Sequence, residues 1–245
     1  MIMYPSGTTG RPKGAVLTHL NLAVQTQTLI RYWRLYREDE INLCGSPMFH
    51  IGAIGSIAPM IATGGTTVIM PSGQFDPENM PDTLERERIT HVFMVPAQWQ
   101  AVVGVPEEGE RAAHLRVMCW GAAPASVTLL ERMAATFPAC RTSAPSARPR
   151  CPPTTVLDGE DAIRKIGSVG RPVPAVDIRI VDDEMNDAPR GEVGEVVYSG
   201  PGLMQGYWNL PEATAEAFAG GCSTPAISSG RTRTASSTSS TARRT

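Results

Sequence analysis

The sequence predicts an α/β fold with layered, largely parallel sheets and flanking helices. Two observations predict it. Short apolar runs of strand length alternate with helix-like segments from residue 1 to about 137. Hydrophobic residues make up 42% of 245 positions against 19% charged, which suits a packed interior over a disordered chain.

Met1–Tyr4 is a short apolar start, followed by a loop at Pro5–Gly14 and a second apolar run at Ala15–Leu17. Thr18 can cap a helix from His19 to about Tyr36, with Leu22, Leu29 and Trp33 on one side. Ile41–Cys44 reads as a strand, Gly52–Ala62 as an apolar buried helix and Thr66–Met70 as a β-branched strand. Pro77–Arg88 follows as an amphipathic helix and His91–Val95 as a further strand. Leu115–Trp120 is a strand entering the turn Gly121–Pro124, and a helix runs from about Ala125 to Phe137. Strands recur at Ile178–Val181 and Glu195–Tyr198.

Two stretches break this style. Arg141–Pro153 holds three arginines and four prolines in 13 residues and no acid. Cys222–Thr245 holds seven serines, six threonines and four arginines in 24 residues, again with no acid. Composition alone reads the first as a linker and the second as a disordered tail.

The charge balance excludes some functions. With 22 basic and 24 acidic residues the net charge is −2, so nothing points to nucleic acid or an anionic membrane. No apolar run approaches the roughly 18 residues of a membrane span, and the start lacks a secretory layout. Five widely spaced cysteines suggest neither a zinc site nor a disulfide framework, so a reducing cytoplasm is expected.

The most informative stretch is Ser6-Gly7-Thr8-Thr9-Gly10-Arg11-Pro12-Lys13-Gly14. Glycines let backbone N–H groups converge on an anion, hydroxyls add donors and lysine adds charge, which together make a triphosphate cradle. A Walker A loop requires Gly-Lys-Ser/Thr at its end, whereas Lys13 here stands between Pro12 and Gly14. The P-loop NTPase reading therefore fails.

This stretch resembles the phosphate-binding signature of the adenylate-forming superfamily of acyl-CoA synthetases, luciferases and adenylation domains, departing from it mainly at Pro5. Pro47-Met48-Phe49-His50 resembles the segment beside that family's acyl pocket, and Gly121-Ala122-Ala123-Pro124 the turn against the adenine. Residues 167–172, 191–195 and 206–209 resemble later family segments, and the likeness covers nearly all of residues 1–221 except 141–153. It implies a partial AMP-binding domain, a fragment of the family's large N-terminal domain, whose upstream subdomain and C-terminal domain would lie outside this chain. Ser6, Gly7, Thr8, Thr9, Gly10 and Lys13 would then hold the ATP phosphates, Gly121, Ala122 and Ala123 the adenine, and His50 with Gly52 and Val95–Pro96 the acyl group. ATP, Mg2+ and coenzyme A are the implied co-substrates, with a small carboxylic acid as the partner. Gly206-Tyr207-Trp208-Asn209 and Asp161–Lys165 look most like fatty acyl-CoA synthetases. An adenylation module for an amino or aryl acid, or a non-catalytic nucleotide binder, are the alternatives.

Where Arg141–Pro153 stands, family members carry Tyr/Phe-Gly-x-Thr-Glu, whose glutamate holds magnesium. A later Gly-Asp contacts the ribose. Neither is present, so no catalytic residue or metal ligand is assigned. Both odd segments are compatible with a shifted reading frame. Read one base earlier, codons for residues 142–152 can encode x-Val-Ser-Ala-Phe-Gly-Gln-Thr-Glu-Met-Ser. Restoring one G lost from a tryptophan codon at Cys222 likewise turns the tail into Gly-Trp-Phe-His-Ser-Gly-Asp and an apolar–acidic continuation. On this reading residues 141–153 and 222–245 are out of frame, and the chain as written is expected to be inactive.

Overall fold

The computed structural model describes residues 1–4, 11–71, 75–105, 108–148, 151–159, 161–165, 167–182 and 184–218. In chain order the elements are β1 (Ile2–Met3), β2 (Ala15–Val16), α1 (His19–Trp33), β3 (Ile41–Cys44), α2 (Ile51–Thr63), β4 (Thr66–Ile69), α3 (Met80–Arg86), β5 (His91–Met94), α4 (Pro96–Val102) and α5 (Glu108–Arg111). They continue as β6 (Val117–Trp120), α6 (Val127–Thr136), β7 (Arg141–Arg148), β8 (Cys151–Asp158), α7 (Asp161–Arg164), β9 (Arg171–Pro172), β10 (Asp177–Val181), β11 (Glu195–Ser199), β12 (Gly206–Tyr207) and α8 (Pro211–Ala217). The chain divides into two units, one of residues 25–147 and 155–170, the other of residues 1–24, 148–154 and 171 onward.

In the larger unit, strands pair in the order β4-β3-β5-β6-β7-β8. The first five run parallel, with Ile41 opposite Thr66, Asn42 opposite His91, His91 opposite Val117 and Val117 opposite Arg141. Parallel strands need helical crossovers, which cover both sheet faces. Side chains alternate accordingly along β6: Met118 and Trp120 join the layer of α3, α4 and α6, while Val117 and Cys119 join the layer of α1 and α2. Trp99 anchors the first layer. It is fully buried, donates its indole N–H to the Cys119 carbonyl at 2.9 Å and meets Phe137 edge-on at 6.0 Å.

The amino edge of this sheet holds a buried ionic cluster. Glu40 precedes β3, Thr90 precedes β5 and His91 opens it, and Arg116 precedes β6. Glu40 and His91 are almost wholly buried, with His91 Nδ1 3.1 Å and Arg116 Nη2 2.7 Å from the same Glu40 oxygen. The Thr90 hydroxyl donates to that carboxylate at 3.2 Å and accepts the Ile41 N–H at 2.8 Å. His91 Nε2–H donates to the Trp33 carbonyl at 2.9 Å. Burial alone would push the Glu40 carboxyl up. The hydrogen bond and charge of His91, then Arg116 and Thr90, outweigh it and hold the group below its ordinary 4.5.

In the smaller unit, β1, β2 and β12 form an antiparallel sheet with β2 central, and β10 pairs with β11 from Asp177 opposite Ser199 to Val181 opposite Glu195. Thr18 caps α1 as expected: its hydroxyl accepts the Asn21 N–H at 3.2 Å, and the Asn21 side chain accepts the Thr18 N–H at 2.7 Å. Asn21 also donates to the Pro201 and Leu203 carbonyls.

Four expectations need correction. The helix after Thr18 stops at Trp33, not Tyr36, because Arg34 turns to φ 55° and the Leu35 N–H closes back on the Ile30 carbonyl. The helix expected from Pro77 starts at Met80, because the Asp76 carboxylate takes the Glu78 and Asn79 N–H groups into a turn. Residues 96–111, given no element above, hold α4 and α5. The segment Arg141–Pro153 is no linker. It supplies β7 and the start of β8, because sheet pairing on β6 overrides its proline-rich composition. Residues 222–245, read as a tail, lie outside the described residues.

Candidate functional site

Strand β3 lies between β4 and β5, so the chain first runs outward to β4 and then returns past β3 to β5. Such a reversal of strand order leaves a crevice beyond the carboxyl ends of the strands, where α/β sheets bind ligands. The pairs Cys44–Phe93 and Met94–Trp120 set Gly45, Val95 and Gly121 along that one edge. The sheet thus gathers the residues expected for the acyl group and adenine: His50 and Gly52 after β3, Val95–Pro96 after β5, Gly121–Ala123 after β6.

Local chemistry explains each position. His50 is the N-cap of α2, with an extended backbone, and its Nδ1 accepts the Gly52 N–H at 3.0 Å. That bond leaves Nδ1 as acceptor and puts the proton of the neutral ring on Nε2. A Cβ at Gly52 would stand 3.1 Å from His50 Nδ1, so glycine lets the imidazole lie over the helix start. Before it, Met48 and Phe49 are exposed, Phe49 by 85%, an apolar lip beside a polar cap.

After β6 the backbone bends sharply. Ala122 has φ 67°, a left-handed conformation that strains a residue with a Cβ. A Cβ at Gly121 would stand 3.1 Å from the Phe93 ring, so the chain there comes close to its neighbour strand. Ala122, Ala123 and Pro124 are exposed, and Ser126 then caps α6 by accepting the Leu129 N–H at 3.2 Å. Together these features leave a small-residue shelf, open to solvent, at the strand end.

Of the expected phosphate contacts, Ser6, Gly7, Thr8, Thr9 and Gly10 lie outside the described residues. Lys13 belongs to the smaller unit, is exposed, and carries its ammonium 5.4 Å from the Tyr207 ring centroid. Lys13 stands just ahead of β2, which pairs antiparallel with β1. Gly14, buried behind it, has no room for a Cβ, which would stand 2.7 Å from Ile2 and 2.9 Å from Tyr4.

Magnesium finds no fit among the described residues. Among the described residues no three of His, Cys, Asp and Glu come together to hold a metal ion, and residues 142–152 contain no carboxylate. The ionic cluster at the amino edge escaped sequence reasoning. Its one signal was a charged or hydroxyl residue standing immediately before, or first in, three separate strands.

A strand-order reversal with a small-residue turn and a histidine-capped helix at the carboxyl edge marks an α/β sheet of the type that binds ligands at that edge. The chain belongs to the AMP-binding enzyme family, whose model matches residues 1–208. It is 37% identical over 223 residues to the feruloyl-CoA synthase of an Amycolatopsis species, covering 90% of this chain and 45% of that protein. Other relatives are named as fatty-acid–CoA ligases. Among solved structures, the inhibitor-bound N-terminal domain of FACL13 from Mycobacterium tuberculosis superposes with a TM-score of 0.82 at 33% identity, over 91% of this chain and 55% of that one. ATP-bound MatB from Rhodopseudomonas palustris gives 0.76 at 30% identity, over 89% and 42%. The chain spans about half the length of the curated relatives it matches. Among the described residues no helix is long and apolar enough to cross a membrane.

Proposed function

We propose that this chain carries the nucleotide- and acid-holding part of an enzyme that activates a carboxylic acid as its adenylate and transfers the acyl group to coenzyme A. The observation that carries this reading is the gathering of His50, Gly52, Val95 and Gly121–Ala123 along one sheet edge at the strand-order reversal. A free carboxylate resists attack because of its charge and resonance. Its oxygen attacks the α-phosphate of ATP, pyrophosphate leaves, and the thiol of coenzyme A then displaces AMP. The chain's task is holding and aligning, with no covalent nucleophile. In this reading Ser6–Gly10 and Lys13 hold the β- and γ-phosphates, Gly121, Ala122 and Ala123 form the shelf under adenine, and His50 and Gly52 border the acid. The use of ATP and coenzyme A supports a cytoplasmic reaction.

A fatty acid is the substrate that Gly206-Tyr207-Trp208-Asn209 favours. The similarity to a feruloyl-CoA synthase favours an aryl acid. Pyrophosphate release by a version extended to its relatives' length, offered hexadecanoate and ferulate in parallel, separates the two. Release with neither acid, nor with a wider acid panel, overturns the proposal.

The shifted frame belongs to the same proposal. Pro145 stands inside β7, an interior strand, where a proline removes a ladder donor. Ser143 in the same strand is fully buried, and its hydroxyl has no partner among the described residues. The regrouped codons put valine at 143 and alanine at 145, which suit an interior strand, and a glutamate at 150 that could hold magnesium. As written, the chain is expected to release little pyrophosphate, and repair of the frame to raise it. Coding DNA that forbids the regrouping removes this part.

A further inference from the structure

We infer that Tyr207 is the positioning residue that pre-orders Lys13 for the phosphates of ATP, an inference that rests on the proposed function. The backbone behind Lys13 is pinned. The Trp208 N–H donates to the Gly14 carbonyl at 2.7 Å and the Gln205 N–H to the Val16 carbonyl at 2.9 Å, so Tyr207 stands opposite Ala15. Tyr207 is fixed in turn. Its N–H donates to the Thr214 hydroxyl at 2.8 Å, and that hydroxyl donates to the Leu210 carbonyl at 2.9 Å, which ties β12 to α8. With both backbones held, the Tyr207 ring lies under the Lys13 ammonium, 5.4 Å from its centroid and within cation–π range.

The consequence is entropic. Lysine is a point charge on a flexible four-carbon stem, and a free stem would lose its freedom only when phosphate arrives. A ring that already holds the ammonium beside the loop's end removes part of that loss from the binding step. Tyr207 makes no phosphate contact in this account. It acts through Lys13.

Lys13 and Lys165 are the chain's two lysines, which makes the test direct. In the 13C-lysine-labelled chain, the ε-CH2 protons of Lys13 are expected upfield of those of Lys165 by the ring current. Tyr207→Phe should keep that shift and Tyr207→Leu abolish it. Calorimetric titration with inorganic tripolyphosphate should find Tyr207→Leu about three- to fivefold weaker than the parent chain. Tyr207→Phe should stay close to the parent, and Tyr207→Leu should add nothing to Lys13→Met. An unshifted Lys13, or a Tyr207→Leu chain that binds as tightly as its parent, overturns the positioning role alone. A parent chain that does not bind tripolyphosphate overturns the phosphate-loop reading beneath it.

Discussion

The two edges of the parallel sheet are built on opposite terms. At the amino edge, Glu40, Thr90, His91 and Arg116 close the strand starts with a buried network in which one carboxylate oxygen meets an imidazole, a guanidinium and a hydroxyl. At the carboxyl edge the strands end in glycines, a left-handed alanine, an exposed phenylalanine and a histidine that only caps a helix. Charge-assisted contacts are concentrated at the strand starts, although Arg116 Nε has no partner among the described residues. Strain and exposed apolar surface sit where a ligand would. The contrast teaches that one edge ties the strand starts together while the other, the edge the proposed function uses, is left with few side-chain bonds.

Breaking the amino edge should have the largest effect. Glu40→Ala leaves Arg116 facing an emptied site and should lower stability by about 3–5 kcal/mol in urea unfolding. The same edge sets a pH dependence. Because the native Glu40 carboxyl lies below 4.5, the unfolded chain binds more protons between that lowered value and 4.5. The stabilisation is complete above that window and is lost as pH falls through the native value, and Glu40→Gln should flatten that slope. Within the sheet, Ser143→Val puts two methyls in place of a buried hydroxyl that has no partner among the described residues and should raise stability by about 1–2 kcal/mol. At the carboxyl edge the effects should be smaller. His50→Ala removes the α2 cap and should lower stability by about 1 kcal/mol, with His50→Asn restoring most of it. Ala122→Gly relieves a left-handed backbone and should raise stability by about 0.5–1 kcal/mol. A His50→Ala loss as large as that of Glu40→Ala would erase the contrast.

The sequence made much of the scaffold legible. Ile41–Cys44 is a strand with the bounds its apolar run gave, and Thr66–Ile69, His91–Met94 and Val117–Trp120 fall inside the runs that announced them. Apolar runs of four or five residues between turns leave little choice. The short helices α4, α5 and α7 were not legible, because one or two turns carry too little periodicity to stand out. Strand β7 was hidden by its own residues, since Pro145 and five polar residues argue for a loop and only pairing beside β6 and β8 makes it a strand. At the site, the glycine turn and His50 were legible as residues, whereas the bond from Gly52 to His50 and the strain at Ala122 depend on backbone angles that no motif records. The amino-edge cluster joins residues up to 76 positions apart, and its members look like ordinary surface charges until the register aligns them.

The carboxyl edge is where the proposed function seats the acyl-adenylate. Hydrogen–deuterium exchange on the chain, with and without a nonhydrolysable acyl-sulfamoyl adenosine, tests it most directly. The account predicts new protection at residues 45–52, 95–96 and 121–123, with residues 40, 90–91 and 116 unchanged. Protection confined to the amino edge, or an exchange pattern the analogue leaves untouched, would contradict it.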